Sequence, residues 1–147
     1  MITMPRRILT LILLAAAIAL PALAQRTTIY PEQFKPGSPF SPGVLVGDTL
    51  YCAGQTGSDP QTGQYPTDFS AEVEQTFKRI GYILKAAGHD FADVVDAKVY
   101  LTDISNFQAM NTVFQNTFPK DPPARTTVEV SSLVGKARIE ITVVARK

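Results

Sequence analysis

The sequence has few of the residues that build disulfide frameworks, zinc sites or nucleic-acid-binding surfaces. Its 147 residues include one cysteine, one histidine and no tryptophan. A single cysteine excludes a disulfide within the chain, and one cysteine with one histidine excludes a cysteine–histidine zinc cluster. Fourteen basic and thirteen acidic residues give a formal net charge of +1. This balance excludes the strongly basic surface that is typical of proteins that bind nucleic acid.

The first 24 residues differ in composition from the rest of the chain. They contain Arg6 and Arg7, no acidic residue, an apolar run over residues 8–20 that is broken only by Thr10, and the small-residue site Ala22-Leu-Ala24. This pattern predicts a secretory signal peptide that is cleaved near Ala24. An uncleaved anchor is the alternative, although spanning a bilayer takes about 20 apolar residues. We therefore expect a periplasmic or secreted protein that has no membrane segment after cleavage, exported by the Sec or the twin-Arg route.

Residues 25–147 carry the predicted fold. They contain twelve basic and thirteen acidic residues, a net charge of −1. Proline, serine and glycine are frequent in residues 25–42, which predicts an extended N-terminal segment. Residues 43–147 are expected to form one domain, because this length is sufficient for a single hydrophobic core.

Hydrophobic periodicity then alternates between strands and helices. Two short apolar runs around Gly47-Asp48 predict a hairpin. Residues 68–87 have one apolar stripe at helical spacing, with Thr67 as the expected N-cap and Gly88 just beyond the end. A second helix is predicted over 105–118, with Asp103 or Ser105 near its cap. Alternating patterns predict strands at 96–102, 125–130 and 137–145.

The resulting order, β-β-α-β-α-β-β, predicts an α+β fold in which two helices cover one face of a mixed sheet. The strands are not fully polar on the other face. An uncovered, partly apolar sheet face favours a partner sheet, most simply from another subunit.

Two charged residues on predicted strands are candidates for function. Arg125 opens one strand, and Glu140 lies inside an Ile-Glu-Ile run. Charged groups flanked by core residues are usually paired or functional, so a cross-strand ion pair and a solvated residue are the alternatives. His89 is expected to be a solvated helix-end residue, and Cys52 a small buried hydrophobe. The residues alone indicate no particular reaction.

Several segments resemble the RidA family, also called YjgF, the reactive intermediate deaminases. The resemblance runs from about residue 40 to the C-terminus, and its most specific part is Pro123-Ala-Arg-Thr-Thr-Val-Glu-Val130 followed by Ile139-Glu-Ile141. It implies a chorismate-mutase-like (RidA-like) fold and a homotrimer with clefts between subunits. It also implies hydrolysis of 2-imino acids, such as 2-iminopropanoate and 2-iminobutanoate, to 2-oxo acids and ammonia. It implies no metal or organic cofactor. No nucleic-acid partner is expected either, because a net charge of −1 gives no support to one.

The resemblance also assigns roles to particular residues. Arg125 matches the arginine that binds the substrate carboxylate, and Glu140 the glutamate that activates or orients water. Asn111 matches an asparagine that lines the cleft, and Gly54 a backbone position that contacts substrate. Thr127 lies where main-chain groups hold the water or the imine.

Three positions depart from the family pattern. Phe40 replaces the usual tyrosine, Ala53 replaces a serine, and Thr127 replaces a cysteine. Two hydroxyl groups are therefore missing from a pocket that Phe40 and Ala53 are expected to line. The alternative to a deaminase is a non-catalytic trimeric protein of the periplasm that binds small carboxylates or acts as a chaperone. A ribonuclease is a weaker third interpretation, which the charge of −1 does not favour.

Overall fold

A computed structural model describes residues 25–147 as a seven-stranded sheet with two α-helices. The strands are β1 Arg26–Ile29, β2 Gly43–Val46, β3 Thr49–Cys52, β4 Gln55–Thr56, β5 Val94–Leu101, β6 Ala124–Glu129 and β7 Ile139–Arg146. The helices are α1 Phe69–Ala86 and α2 Phe107–Thr117, and two short 3-10 helices lie at Phe91–Asp93 and Ile104–Asn106. The predicted α+β class is therefore confirmed. The predicted signal peptide, residues 1–24, lies outside the described residues.

The sheet has the strand order β1-β2-β3-β7-β5-β6, and β4 pairs separately with β7. Among the described strands, β5 and β6 form the parallel pair and the other pairs are antiparallel. In the predicted hairpin, Val46 faces Thr49 across a turn in which Gly47 has a φ of 57°. Glycine adopts this left-handed conformation without steric cost.

The segment predicted as extended, residues 25–42, contains an unpredicted strand. Strand β1 consists of Arg-Thr-Thr-Ile, and its last residue, Ile29, is buried in the core. β-Branched residues favour strands, and pairing with β2 satisfies the backbone. The prolines and glycines that follow β1 concealed this signal. Strand β4 was also missed, because two residues are too few to show a period.

Helix α1 was predicted closely, apart from its cap. Asp68, and not Thr67, is the N-cap, and its carboxylate accepts a hydrogen bond from the backbone N–H of Ala71 at 2.9 Å. Gly88, with a φ of 74°, follows the helix end as expected. The predicted apolar stripe is buried and packs into the core: Phe69, Val73, Phe77, Ile80 and Leu84.

The segment predicted as one helix, residues 105–118, begins with a separate 3-10 turn. The Asp103 side chain accepts a hydrogen bond from the Ser105 N–H at 2.8 Å and caps this turn. Helix α2 then begins at Phe107. Its buried residues pack with α1 through Phe77, which makes edge-to-face contacts with Phe114 and Phe118 at 5.9 and 5.8 Å between ring centroids.

The open face of the sheet presents apolar side chains. Tyr51 lies opposite Val144, and Val128 lies opposite Tyr100, on the face away from the helices. The side chains of Tyr51 and Val128 are exposed in the isolated chain. Within residues 25–147, no helix is both long and apolar enough to cross a membrane.

A buried ion pair fixes the loop before β7 to α1. Glu72 is fully buried, and its two carboxylate oxygens accept hydrogen bonds from the backbone N–H of Arg138 at 2.8 Å and from its Nε at 2.6 Å. The guanidinium also donates to the carbonyl of Pro66 at 3.0 Å. Glu72 lies in the first turn of α1, near the positive helix end. Its structural partner is 66 residues away in the chain.

We expect Glu72→Gln to destabilise the fold by about 2–3 kcal/mol, since it weakens two charge-assisted hydrogen bonds to a buried carboxylate. This loss in the free energy of unfolding is small for an ion pair with a buried carboxylate, because the Arg138 side chain is partly exposed to solvent. Denaturant unfolding of the two proteins measures the difference. Glu74→Gln, at an exposed position of the same helix, is the control and should change the free energy of unfolding by less than about 0.5 kcal/mol. Equal effects of the two substitutions would contradict a structural role for the pair.

Candidate functional site

Arg125 lies on the helix-covered face of the sheet. Its backbone is in register with Ala97 of β5, which is fully buried beneath the helices. The guanidinium carbon lies 4.5 Å from the ring centroid of Phe114 and 5.6 Å from that of Phe107, both on α2. Partial burial lowers the pKa of the Arg125 guanidinium, which still remains a cation at neutral pH. Among the described residues it has no carboxylate partner within ion-pair distance.

Two unpartnered polar atoms share this environment. Asn111 lies on the same side of α2 as Phe107 and Phe114, at spacings of four and three residues. Thr127 lies two residues after Arg125 on β6 and therefore faces the same side of the sheet. The Asn111 Oδ1 and the Thr127 Oγ1 are buried and have no hydrogen-bond partner within the described chain. Buried polar groups are normally paired, so these two oxygens are exceptions within the described chain.

Glu140 lies near the start of β7, between Ile139 and Ile141, whose side chains are fully buried. Its backbone is opposite Thr56 of β4 on one side and Tyr100 of β5 on the other. Gly54 packs directly against the carboxylate. A Cβ atom at position 54 would lie 2.9 Å from the Glu140 Cδ and closer still to Oε1. The absence of a side chain at Gly54 is therefore what leaves room for the carboxylate.

A pocket of about 410 Å³ opens beside this carboxylate. Glu140, Gly54 and Phe40 line it together, and 57% of the Phe40 side chain is exposed in the isolated chain. Ala53 does not line this pocket. Its backbone N–H donates a hydrogen bond to the Pro42 carbonyl at 2.9 Å. The structure thus gathers three of the predicted site residues in one pocket.

The predicted site residues fall into two groups on opposite faces of the sheet. On β5, Ala97 is in register with Arg125 and Tyr100 with Glu140. Residues three apart on a strand point to opposite faces, and directly paired residues share a face. Arg125, Asn111 and Thr127 therefore face the helices, whereas Glu140 faces the open side. One subunit does not bring Arg125 and Glu140 to the same small ligand.

Cys52 and His89 have structural surroundings. Burial raises the pKa of the Cys52 thiol from 9.0 to about 12, so the thiolate that a nucleophile requires is not formed at neutral pH. The expectation that His89 is solvated was wrong: its side chain is buried. Its ring nitrogens face the carbonyls of Ala87 and Asp48, at 3.1 and 3.3 Å, which fixes the loop after α1 to the hairpin turn. In the described part of the chain, no three acidic, histidine or cysteine side chains cluster as metal ligands do.

Several residues that line the pocket were missed by the sequence analysis, among them Arg79 and Tyr65. Arg79 reaches the pocket from α1, and Tyr65 reaches it from the loop before α1. The Tyr65 hydroxyl lies 3.2 Å from the Thr56 Oγ1, opposite Glu140. Arg79 sits beside Ile80 of the apolar stripe, which was the one sequence signal that its side chain is partly covered. No motif or spacing links either residue to Glu140.

In this α+β fold, the Arg125 cation thus lies on the helix-covered face of the sheet, and an open pocket lies beside the Glu140 carboxylate. Residues 31–147 match the family model described as Endoribonuclease L-PSP. The chain therefore belongs to this family, which is the RidA (YjgF) family, and the resemblance found in the sequence is confirmed at that level.

Individual relatives have similar names and folds. The chain is 45% identical over 114 residues to a RutC family protein of Saccharolobus solfataricus, covering 77% of this chain and 90% of that protein. It is 44% identical over 108 residues to the human 2-iminobutanoate/2-iminopropanoate deaminase, covering 73% of this chain and 79% of that protein. The crystal structure of RidA from the Antarctic bacterium Psychrobacter sp. PAMC 21119 has a TM-score of 0.78 at 36% identity, with 82% and 99% of the two chains covered.

Proposed function

We propose that this protein is a hydrolytic deaminase that converts small 2-imino acids and their enamine tautomers into 2-oxo acids and ammonia. The observation that carries the proposal is a pair of unmatched half-sites. One has a cation that has no carboxylate partner within residues 25–147, beside two buried oxygens that are unpaired in the same part of the chain. The other has a carboxylate at the wall of an open pocket. A 2-imino acid needs both, because it has a carboxylate to be bound and an imine carbon to be hydrated.

Arg125 is proposed to bind the substrate carboxylate. A guanidinium presents parallel N–H donors that match the two oxygens of a carboxylate, and it stays charged at physiological pH. Phe114 and Phe107 pack against the Arg125 side chain and restrict its orientation. Asn111 and Thr127 are proposed to complete the hydrogen bonds of the bound substrate.

Glu140 is proposed to act as general base and then as general acid. Its carboxylate takes a proton from water as the water oxygen bonds to the imine carbon. The π electrons of the C=N bond move to nitrogen, Glu140 returns the proton to that nitrogen, and a carbinolamine forms. The Glu140 carboxylate then accepts the carbinolamine O–H proton, the C=O bond forms as the C–N bond breaks, and the same proton goes to the departing nitrogen, which leaves as ammonia. Overall, one imine and one water give one 2-oxo acid and one ammonia, so the reaction needs no oxidant, reductant or cofactor.

The complete site is proposed to form between subunits of a homotrimer. Since Arg125 and Glu140 of one chain lie on opposite faces of the sheet, a substrate that touches both must lie between two chains. The exposed Tyr51 and Val128 on the open face supply apolar surface for such contacts. A closed ring of three subunits contains three equivalent interfaces and therefore three sites.

Imine decay tests this function directly. An amino-acid oxidase generates 2-iminopropanoate from alanine and 2-iminobutanoate from 2-aminobutanoate, and semicarbazide traps the imine that remains. The purified protein should lower semicarbazone formation in proportion to its concentration, while heat-denatured protein should not. A trimeric protein that binds pyruvate but leaves the imine decay at its spontaneous rate would instead be the non-catalytic carboxylate-binding protein.

Export is part of the proposal and rests on residues 1–24. A signal peptide would place the protein outside the cytoplasm of the source cell, where an amino-acid oxidase is the class of enzyme that supplies imines. The mass of the protein recovered from cells tests this directly. We expect a first residue of Gln25, and an intact N-terminus starting at Met1 would contradict cleavage.

A further inference from the structure

Arg79 is a cation in the pocket of Glu140, and the proposed reaction does not use it. It lies on α1, 61 residues before Glu140 in the sequence, and both side chains line the same 410 Å³ space. Among the described residues, it has no carboxylate within ion-pair distance. Burial lowers the pKa of the Arg79 guanidinium, although Tyr65 and Asp59 partly offset this effect. An unpaired, half-buried cation beside a pocket attracts an anion.

The Arg79 side chain is held in one orientation. Its Nε donates to the Gln55 Oε1 at 3.1 Å, and its Nη1 donates to the Ser58 carbonyl at 3.0 Å. The guanidinium carbon lies 4.7 Å from the ring centroid of Phe34, which covers one side of the group. In the described structure its Nη2 makes no hydrogen bond to protein, so this nitrogen keeps donors for a ligand.

The orienting contacts connect Arg79 to the Glu140 half-site. Gln55, which accepts from Arg79, donates through its Nε2 to the Ala53 carbonyl at 3.0 Å. Ala53 precedes Gly54, the residue that packs against the Glu140 carboxylate. Lys35 adds a second positive charge to the pocket wall, tethered to the Gln61 carbonyl at 2.6 Å. The pocket beside the proposed base is therefore lined by two cations and one carboxylate.

The nearby acid Asp59 is already engaged elsewhere. Its Oδ1 accepts hydrogen bonds from the backbone N–H groups of Gln61 and Thr62, at 2.9 and 2.8 Å. These bonds lower the pKa of the Asp59 carboxyl and hold it in its own turn. Asp59 therefore does not form an ion pair with Arg79 in the described structure, and the Arg79 guanidinium stays available to an anionic ligand.

We propose that Arg79 forms a side-chain subsite that selects 2-imino acids with a second carboxylate, such as 2-iminoglutarate. The inference rests on the proposed function, because Glu140 must act at the imine carbon while Arg125 binds the first carboxylate. The substrate side chain then extends into the pocket, where the Nη2 of Arg79 meets the distal carboxylate. Hydrogen bonds from a charged donor to a charged acceptor are stronger than neutral ones. Arg79 should therefore favour imino acids with a second carboxylate strongly over those without one.

The test compares two substrates in three proteins. L-Glutamate oxidase supplies 2-iminoglutarate, and an alanine-active oxidase supplies 2-iminopropanoate. We expect the wild-type protein to hydrolyse 2-iminoglutarate with the higher kcat/KM. In Arg79→Gln, the ratio of kcat/KM for 2-iminoglutarate to that for 2-iminopropanoate should fall at least tenfold, mainly through KM. Lys78→Gln, the exposed neighbour on α1, should leave this ratio unchanged.

A binding measurement separates failure of the subsite from failure of the deaminase function. Calorimetric titration with 2-oxoglutarate and pyruvate needs no turnover. If neither imine is hydrolysed but Arg79→Gln weakens 2-oxoglutarate binding at least tenfold, the result supports the Arg79 subsite and contradicts the deaminase function. If 2-iminopropanoate is hydrolysed but Arg79→Gln leaves the ratio of the two kcat/KM values unchanged, the subsite is wrong and the deaminase function is supported. An equal fall for both substrates would also overturn it, because Arg79 would then bind the carboxylate common to both.

Discussion

Arg125→Ala is expected to lower kcat/KM for 2-iminopropanoate by about 10² to 10⁴, because it removes the group proposed to bind the substrate carboxylate. Two charge-assisted hydrogen bonds to the substrate carboxylate contribute about 1.5–3 kcal/mol each, and about 1.4 kcal/mol corresponds to a factor of ten. Arg125→Lys keeps the charge but loses the paired donors, so we expect it to recover only part of the activity. Initial rates of imine decay, measured across substrate concentrations, give these values.

The controls for this substitution address folding and charge. Arg26→Ala removes an exposed arginine from the edge strand β1 and should leave the rates unchanged. Circular dichroism and the subunit mass should match the wild type in Arg125→Ala, because the side chain lies on an edge strand. Full activity in a folded Arg125→Ala protein would contradict the assignment of the carboxylate site.

Glu140→Gln is expected to lower kcat by about 10² to 10⁴, the usual contribution of a positioned general acid–base group. Glutamine occupies the same space beside Gly54 but cannot take a proton from water. Binding of pyruvate should change much less than kcat, since the oxo acid is bound through its carboxylate at Arg125. Single-turnover imine decay and calorimetric binding of pyruvate measure the two quantities separately.

Glu74→Gln is the matched control for this second prediction. It removes a carboxylate from an exposed position of α1 and should leave kcat unchanged. If Glu140→Gln weakens pyruvate binding as strongly as it lowers kcat, Glu140 acts in binding rather than in proton transfer. If it changes neither quantity, the proposed mechanism is wrong.

Much of the fold was predictable because strong local signals agree with the tertiary structure. The apolar stripe of α1, the Gly47 turn and the alternation in β7 each predicted the observed element. The α1 cap and the start of α2 were less accurate, because several capping side chains stand next to one another at each end. Strand β1 could not be seen locally, since its pairing with β2 is long-range and its flanking residues are turn formers.

The candidate site was predictable only in part, and the reason is geometric. Arg125 and Glu140 stood out as charged residues on apolar strands, and the family resemblance supplied roles for them. Their positions on opposite faces of one sheet depend on the register of β5 with both neighbours, which no local pattern contains. Arg79 was missed because a long cationic side chain beside a helix stripe is most often solvated.

The central claim is that each site takes Arg125 from one subunit and Glu140 from the next. Co-expression of Arg125→Ala and Glu140→Gln chains, each with a different affinity tag, allows mixed trimers to be purified by two successive columns. Every mixed trimer then has one interface at which both functional side chains are present. We expect about one third of the wild-type rate from these trimers, because one site of three is intact.

Each variant alone should be inactive, and so should a trimer in which every chain carries both substitutions. The variants purified separately and mixed without unfolding should also stay inactive over the time of the assay, unless subunits exchange. Recovery of about one third of the wild-type activity in the tandem-purified trimers is the result that a site shared between subunits predicts. Mixed trimers as inactive as either parent would contradict it.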